Sequence, residues 1–141
     1  RGADEAGCRQ SSYRRNPDSV SVIKYLLDEH VNPRFRKALI QKWPQMVVWC
    51  IGDVGAPPLH ALDPGILIWC EAHGFSLVTN NRASMPIHLQ EHLSAGRDTP
   101  GIFVLNPAMT MGETIEELAL IWTVSDSEEY TDLLHYLPLS R

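Results

Sequence analysis

Two acids stand side by side at Asp28-Glu29, directly after the aliphatic run Val22-Ile23-Lys24-Tyr25-Leu26-Leu27. Adjacent carboxylates repel one another unless water or a cation intervenes. Magnesium or manganese is the natural partner, because both accept hard oxygen ligands and keep several waters. Neighbours along a strand point to opposite sides, so the two acids need not reach one ion. Asp63, heading Asp63-Pro64, is the next acid of interest. It reads either as a helix cap, with Pro64 at the first helical position, or as a second cation ligand. The third group is Thr79-Asn80-Asn81-Arg82. An asparagine offers a carbonyl oxygen without charge, and Arg82 suits a phosphate. His30, which follows the acids, and Arg34, which opens a cluster with Arg36, Lys37 and Lys42, complete the candidates for substrate contact with Asn80 and Arg82.

Other chemistries find little support. His88 and His92 stand four apart and can share a helix face, but the only acid between them is Glu91, not a Glu immediately after the first His as a zincin requires. Neither the dinucleotide-binding nor the Walker-type glycine pattern occurs, and no Ser or Cys lies in a nucleophile elbow. Cys8, Cys50 and Cys70 lack metal-like spacing; the last two lie in apolar surroundings and read as buried, reduced thiols.

The elements that would position these residues alternate. Ser21–Leu27, Met46–Ile51, Phe75–Thr79 and Gly101–Leu105 are short, nearly continuous apolar runs, the pattern of strands covered on both faces. Between them lie helices. Asn32-Pro33 starts the first and Pro44 stops it; Asp63-Pro64 starts the second and Gly74 ends it; the third covers Pro86 to Leu93. Thr110 and Glu113 form a capping-box pattern ahead of a helix through Trp122, and Ser127 to Tyr136 reads as a last short helix. Alternation of this kind predicts an α/β fold, a three-layer α/β/α sandwich on a parallel four-stranded sheet of order 2-1-3-4. Strands 1 and 3 are then neighbours where the order reverses. The residues after Leu27 and after Thr79 face one crevice, where such sheets collect ligands.

At 141 residues, 44% hydrophobic and 21% charged, the chain has the length and composition of one soluble globular domain, placed here at residues 21–141. Residues 1–20 lack apolar periodicity and read as a disordered leader or tag remnant. No apolar run is long enough to span a bilayer and no secretory signal is visible, so no membrane partner and a cytoplasmic location are expected. A net charge of −5 argues against broad nucleic-acid binding, although the basic residues from Arg34 to Lys42 could form a local edge that meets phosphates.

Three blocks together, Ile23-Lys-Tyr-Leu-Leu-Asp28-Glu29-His30, Ala61-Leu-Asp63-Pro-Gly-Ile-Leu67 and Gly74-Phe-Ser-Leu-Val-Thr-Asn80-Asn81-Arg82, resemble the small PIN-like domains of bacteria, a branch of the PIN nuclease superfamily. The resemblance covers about Ile23 to Leu105. It implies an acidic metal pocket and a Mg2+- or Mn2+-dependent ribonuclease, in some relatives the toxin of a toxin–antitoxin pair. In that chemistry the metal activates a water and neutralises charge on the scissile phosphate. Carried over, Asp28 is the principal metal ligand, Glu29 assists it and Asp63 is the second acid. Active-looking relatives end the third block in Thr-x-Asp-x-Asp, where this chain has Asn81 and Ala83. The carboxylate set is thus incomplete. The implied partners are RNA, an antitoxin-like protein and a second copy of the chain. The alternative is a PIN-like module that binds RNA or a partner protein without cleaving.

Overall fold

A computed structural model describes residues 22–139; the leader expected over residues 1–20 lies outside them. The elements follow the order β1 (Lys24–Leu27), α1 (Arg34–Lys42), β2 (Val47–Cys50), α2 (Asp63–His73), β3 (Ser76–Thr79), α3 (Met85–Ser94), β4 (Ile102–Val104), α4 (Met111–Val124), a 3-10 turn (Ser127–Tyr130) and β5 (Leu134–Tyr136). All pairings in the sheet are parallel, and its order is β2-β1-β3-β4-β5.

The alternation of side chains along β1 separates two cores. Tyr25 and Leu27 pack with Leu39 of α1 and with Leu118 and Ile121 of α4. Leu26 packs on the opposite face with Ile66, Leu67 and Cys70 of α2 and with Met85 and Leu89 of α3. The sheet is therefore covered on both sides, which is why its strands read as continuous apolar runs. Tyr25, Leu26 and Leu27 are wholly buried. Each large apolar side chain buried in this way contributes about 1.5–3 kcal/mol relative to exposure. The Tyr25 hydroxyl donates to the Leu118 carbonyl at 2.8 Å, so this buried polar group is satisfied across the sheet–helix interface. Cys70 is buried and Cys50 half-buried, both reduced.

Helix starts follow local chemistry. The capping box at α4 forms in full, Thr110 with Glu113. At α1 the start lies one residue later than expected, with Pro33 at the cap position. Asn32 still does a cap's work, since its Oδ1 accepts the Arg34 N–H at 3.0 Å. Gly74 ends α2 at φ 75°, a left-handed conformation that glycine adopts without cost.

The sheet corrects one expectation. It has five strands, because Ser127 to Tyr136 is not a helix. Ser127–Tyr130 makes a single 3-10 turn. The chain then passes through Asp132 at φ 64°, and Leu134–Tyr136 lies beside β4. The reason is the edge of β4. Ile102 N–H donates to the Leu133 carbonyl and Leu137 N–H donates to the Val104 carbonyl, so backbone groups that a helix would leave open are paired.

Candidate functional site

The site lies where strand order reverses, outside the C-terminal ends of β1 and β3. Leu27 pairs with Val78, and the Asp28 N–H extends the ladder by donating to the Val78 carbonyl at 2.9 Å. Strand alternation sends Asp28 to the face of Leu26, and Thr79 to the face of Leu77. Both therefore face the α2–α3 side. Thr79 Oγ1 donates to Asp28 Oδ2 at 2.7 Å and accepts the Asn81 N–H at 3.0 Å. Asp28 Oδ1 accepts the N–H of Glu29 at 2.8 Å.

Asn81 carries the network onward. Its Oδ1 accepts the Ser84 N–H at 3.0 Å, which fixes the orientation of the amide. Nδ2 then donates to Asp63 Oδ2 at 3.0 Å and to Ser84 Oγ at 2.8 Å. A continuous chain, Asp28–Thr79–Asn81–Asp63, thus joins the end of β1 to the start of α2. Helix α2 does begin at Asp63 with Pro64 in its first turn, but the cap position is Leu62 and no side chain caps it. The capping role expected for Asp63 is not the one found: its carboxylate turns across the crevice to Asn81, while Pro64 removes one N–H that a cap would have served.

His88 is a crevice residue that does not stand among the expected site residues. It lies one turn into α3, with Nε2 at 3.5 Å from Asp63 Oδ2 and a side chain 26% exposed. Its Nδ1 is buried without a hydrogen bond, and Glu91 Oε1 stands 3.9 Å away. The available signal was the spacing: Ser84 to His88 is one turn, so a residue capping α3 and His88 share the crevice side.

The other expected residues scatter around the rim. Glu29 does not reach toward Asp63. Its Oε1 accepts the His60 N–H at 2.7 Å and Oε2 lies 3.4 Å from His60 Nδ1, which ties the loop before α2 to the end of β1. His60 sits at φ 69° and is a second residue the sequence did not single out. Asn80 Nδ2 donates to the His30 carbonyl at 3.2 Å, so these two lace the β1 and β3 loops together. Arg82 donates to the Leu105 carbonyl at 3.1 Å and lies over the Tyr136 ring at 4.9 Å. Among the described residues this bond uses one N–H of its fork, and the fork's other N–H groups can meet a ligand. Arg34 is exposed at the start of α1, where its N–H is held by Asn32. The basic stretch behind it is partly committed within the fold, Arg36 to Asp53 and Lys42 to Glu116.

Whether this set fits Mg2+ or Mn2+ turns on the donors. Among the described residues no three His, Cys, Asp or Glu side chains gather as a ready cation cage. Asp28 and Asp63 remain, joined through neutral donors. Magnesium is commonly held by one or two carboxylates together with waters and substrate phosphates. The residues present fit that mode of binding and not a dedicated all-protein cage.

Compared with models of protein families, with curated proteins and with solved structures, the chain has no match in any of the three.

Proposed function

We propose that the chain is a PIN-like domain whose crevice is a Mg2+- or Mn2+-dependent endoribonuclease centre. The observation that supports this reading most strongly is the convergence of Asp28 and Asp63, from separate elements, on the Thr79–Asn81 turn at the switch point. A polyanion would be repelled by two carboxylates alone, so a cation and an RNA phosphate bind here together. When bound, the ion would supply an activated water and offset the charge that develops on the phosphate. Asp28 and Asp63 would hold it. Thr79 and Asn81 hold those carboxylates in place, and Arg82 offers its remaining N–H groups to the phosphate at the rim. Through His60, Glu29 ties the loop that leads to the second acid to the end of β1. RNA is the proposed substrate class; an antitoxin-like protein and a second copy of the chain are the proposed partners.

The second reading is a PIN-like module that binds RNA or a partner without cleaving. It is favoured by Asn81, which presents an N–H to Asp63 where an active-looking relative has a further acid. One experiment separates the two. Purified protein is incubated with mixed RNA and Mn2+ or Mg2+, beside Asp28→Asn. Cleavage that the substitution abolishes is the expected result. Retention of RNA without cleavage supports the second reading, and neither binding nor cleavage overturns the nuclease reading and the RNA-binding form of the second.

A further inference from the structure

We propose that the outward face of α2 is an interface for a second copy of the chain, α2 against α2 and antiparallel about a two-fold axis. This gives a surface to the second copy named above as a partner. It stands on α2 itself and does not depend on cleavage at the crevice.

The observation that carries it is a lack of charge where charge is expected. A helix at the surface turns an apolar stripe inward and polar residues outward. Helix α2 does not. Ile66, Leu67 and Cys70 fill the core, while the exposed side holds Leu62 at its start, then Pro64, Gly65, Ile68 and Ala72. Leu62 is 78% exposed and Ile68 41%. The two acids of the helix are turned into the fold. Asp63 accepts from the Asn81 amide, and Glu71 accepts from Arg97 and from the Asp98 N–H. The loop before α2 extends the same surface, since residues 54–62 hold no Asp, Glu, Lys or Arg. Trp69 Nε1 donates to the Gly55 carbonyl at 3.1 Å, which seats that loop beside α2 with Val54 and Leu59 exposed. An exposed apolar patch of this extent marks a docking surface.

Charge decides the occupant. In a two-fold pair each face meets itself. With a net charge of −5, two copies repel unless the surfaces in contact carry little charge. The exposed side of α1 would set Arg34, Lys37 and Lys42 against the same cations, and that of α4 would set Glu113 and Glu116 against the same acids. Helix α3 exposes Glu91. Among the described helices only α2 meets itself without like charges. Antiparallel pairing also sets the positive N-terminal end of each helix beside the negative C-terminal end of the other. Centred between Gly65 and Ile68, it lays Leu62 of one copy over Ala72 of the other and Ile68 over Gly65, large against small. A standard stable interface uses about 20–30 residues a side. This face offers fewer, so the pair forms and parts with concentration.

The test is sedimentation equilibrium of the full chain from about 1 μM to about 1 mM, a range that brackets weak association. The mass should rise from one chain toward two. Ile68→Lys and Leu62→Lys each put like charges across the axis and should weaken association about tenfold or more. Both positions are exposed, so the fold is kept, which thermal melting checks. Leu62→Lys combined with Ala72→Glu should regain most of what Leu62→Lys loses, because antiparallel pairing brings these positions together. Leu120→Lys, on α4 and as exposed as Ile68, should leave association unchanged. A chain that stays single over the whole range overturns the proposal. So does a pair that Ile68→Lys and Leu62→Lys leave intact, one that Leu120→Lys breaks, or a mass that rises past two chains. The RNA assay reads cleavage separately, so either result stands without the other.

Discussion

Thr79 shows how much of the crevice depends on one hydroxyl. It is wholly buried, donates to Asp28 Oδ2 and accepts from Asn81 N–H, so one atom aligns both halves of the site. Replacing it with valine keeps the shape but leaves a partly buried carboxylate oxygen and a backbone N–H unpaired. Thr79→Val should cost about 1–3 kcal/mol in urea unfolding, and Thr79→Ser should recover most of it. Asn81 makes a sharper prediction. Asn81→Asp would replace the N–H donor to Asp63 with a carboxylate oxygen, at a position now 3.0 Å from Asp63 Oδ2. Like charges at that distance repel, so the variant should melt below wild type in EDTA. Added Mn2+ should raise its melting temperature more than it raises that of wild type, because a third acid strengthens the cation site. Equal shifts in the two proteins would count against the pocket as a cation site.

At the scale of elements, β4 and β5 depend on a glycine that no pattern in the sequence marks as special. Gly101 lies at φ 135°, and a Cβ there would meet the Cβ and carbonyl oxygen of Tyr130 at 2.8 Å. Backbone cannot yield as a side-chain tip can. Gly101→Ala should therefore lose about 2–4 kcal/mol in urea unfolding, from overpacking and a strained φ together. Gly96→Ala, at φ 83° with open space around it, should lose less. The same region shows why β5 was illegible. Ser127-Glu-Glu-Tyr130 does coil, capped by Asp126, and local chemistry offers nothing to stop it sooner. What decides the following residues is the unpaired edge of β4, a demand made by tertiary structure. The first four strands were legible because burial on both faces leaves continuous apolar runs. The positions of Asp28 and Thr79 followed from strand ends and sheet order. Asp63 illustrates the opposite case: Asp-Pro is locally sufficient to explain a helix start, and only the arrival of Asn81 and His88 from elsewhere in the chain turns that carboxylate into the crevice.

Across the whole molecule the acids of the C-terminal half and the cations near α1 are brought together only in part, as in Lys42 with Glu116, a surface pair worth little by itself. The titration that should govern stability lies in the interior. His92, on the buried side of α3, has a side chain 3% exposed, and its Nε2 bonds to the Asp98 carbonyl at 2.7 Å. Burial pushes its pKa below the ordinary 6.5; Glu71 pulls the other way and Arg97 adds to the lowering. In the unfolded chain His92 takes up its proton near pH 6.5, whereas the folded chain resists until lower pH. Between those two points the unfolded state binds more protons, so stability falls as pH falls. Above pH 6.5 neither state is protonated and the contribution is flat. Unfolding free energy measured with urea should therefore decline as pH drops below 6.5, and His92→Gln should flatten that decline. Glutamine is the right replacement because its Nε2 can keep the bond to Asp98 while carrying no titratable proton. A slope that His92→Gln leaves unchanged would show that burial of this imidazole is not what couples stability to pH.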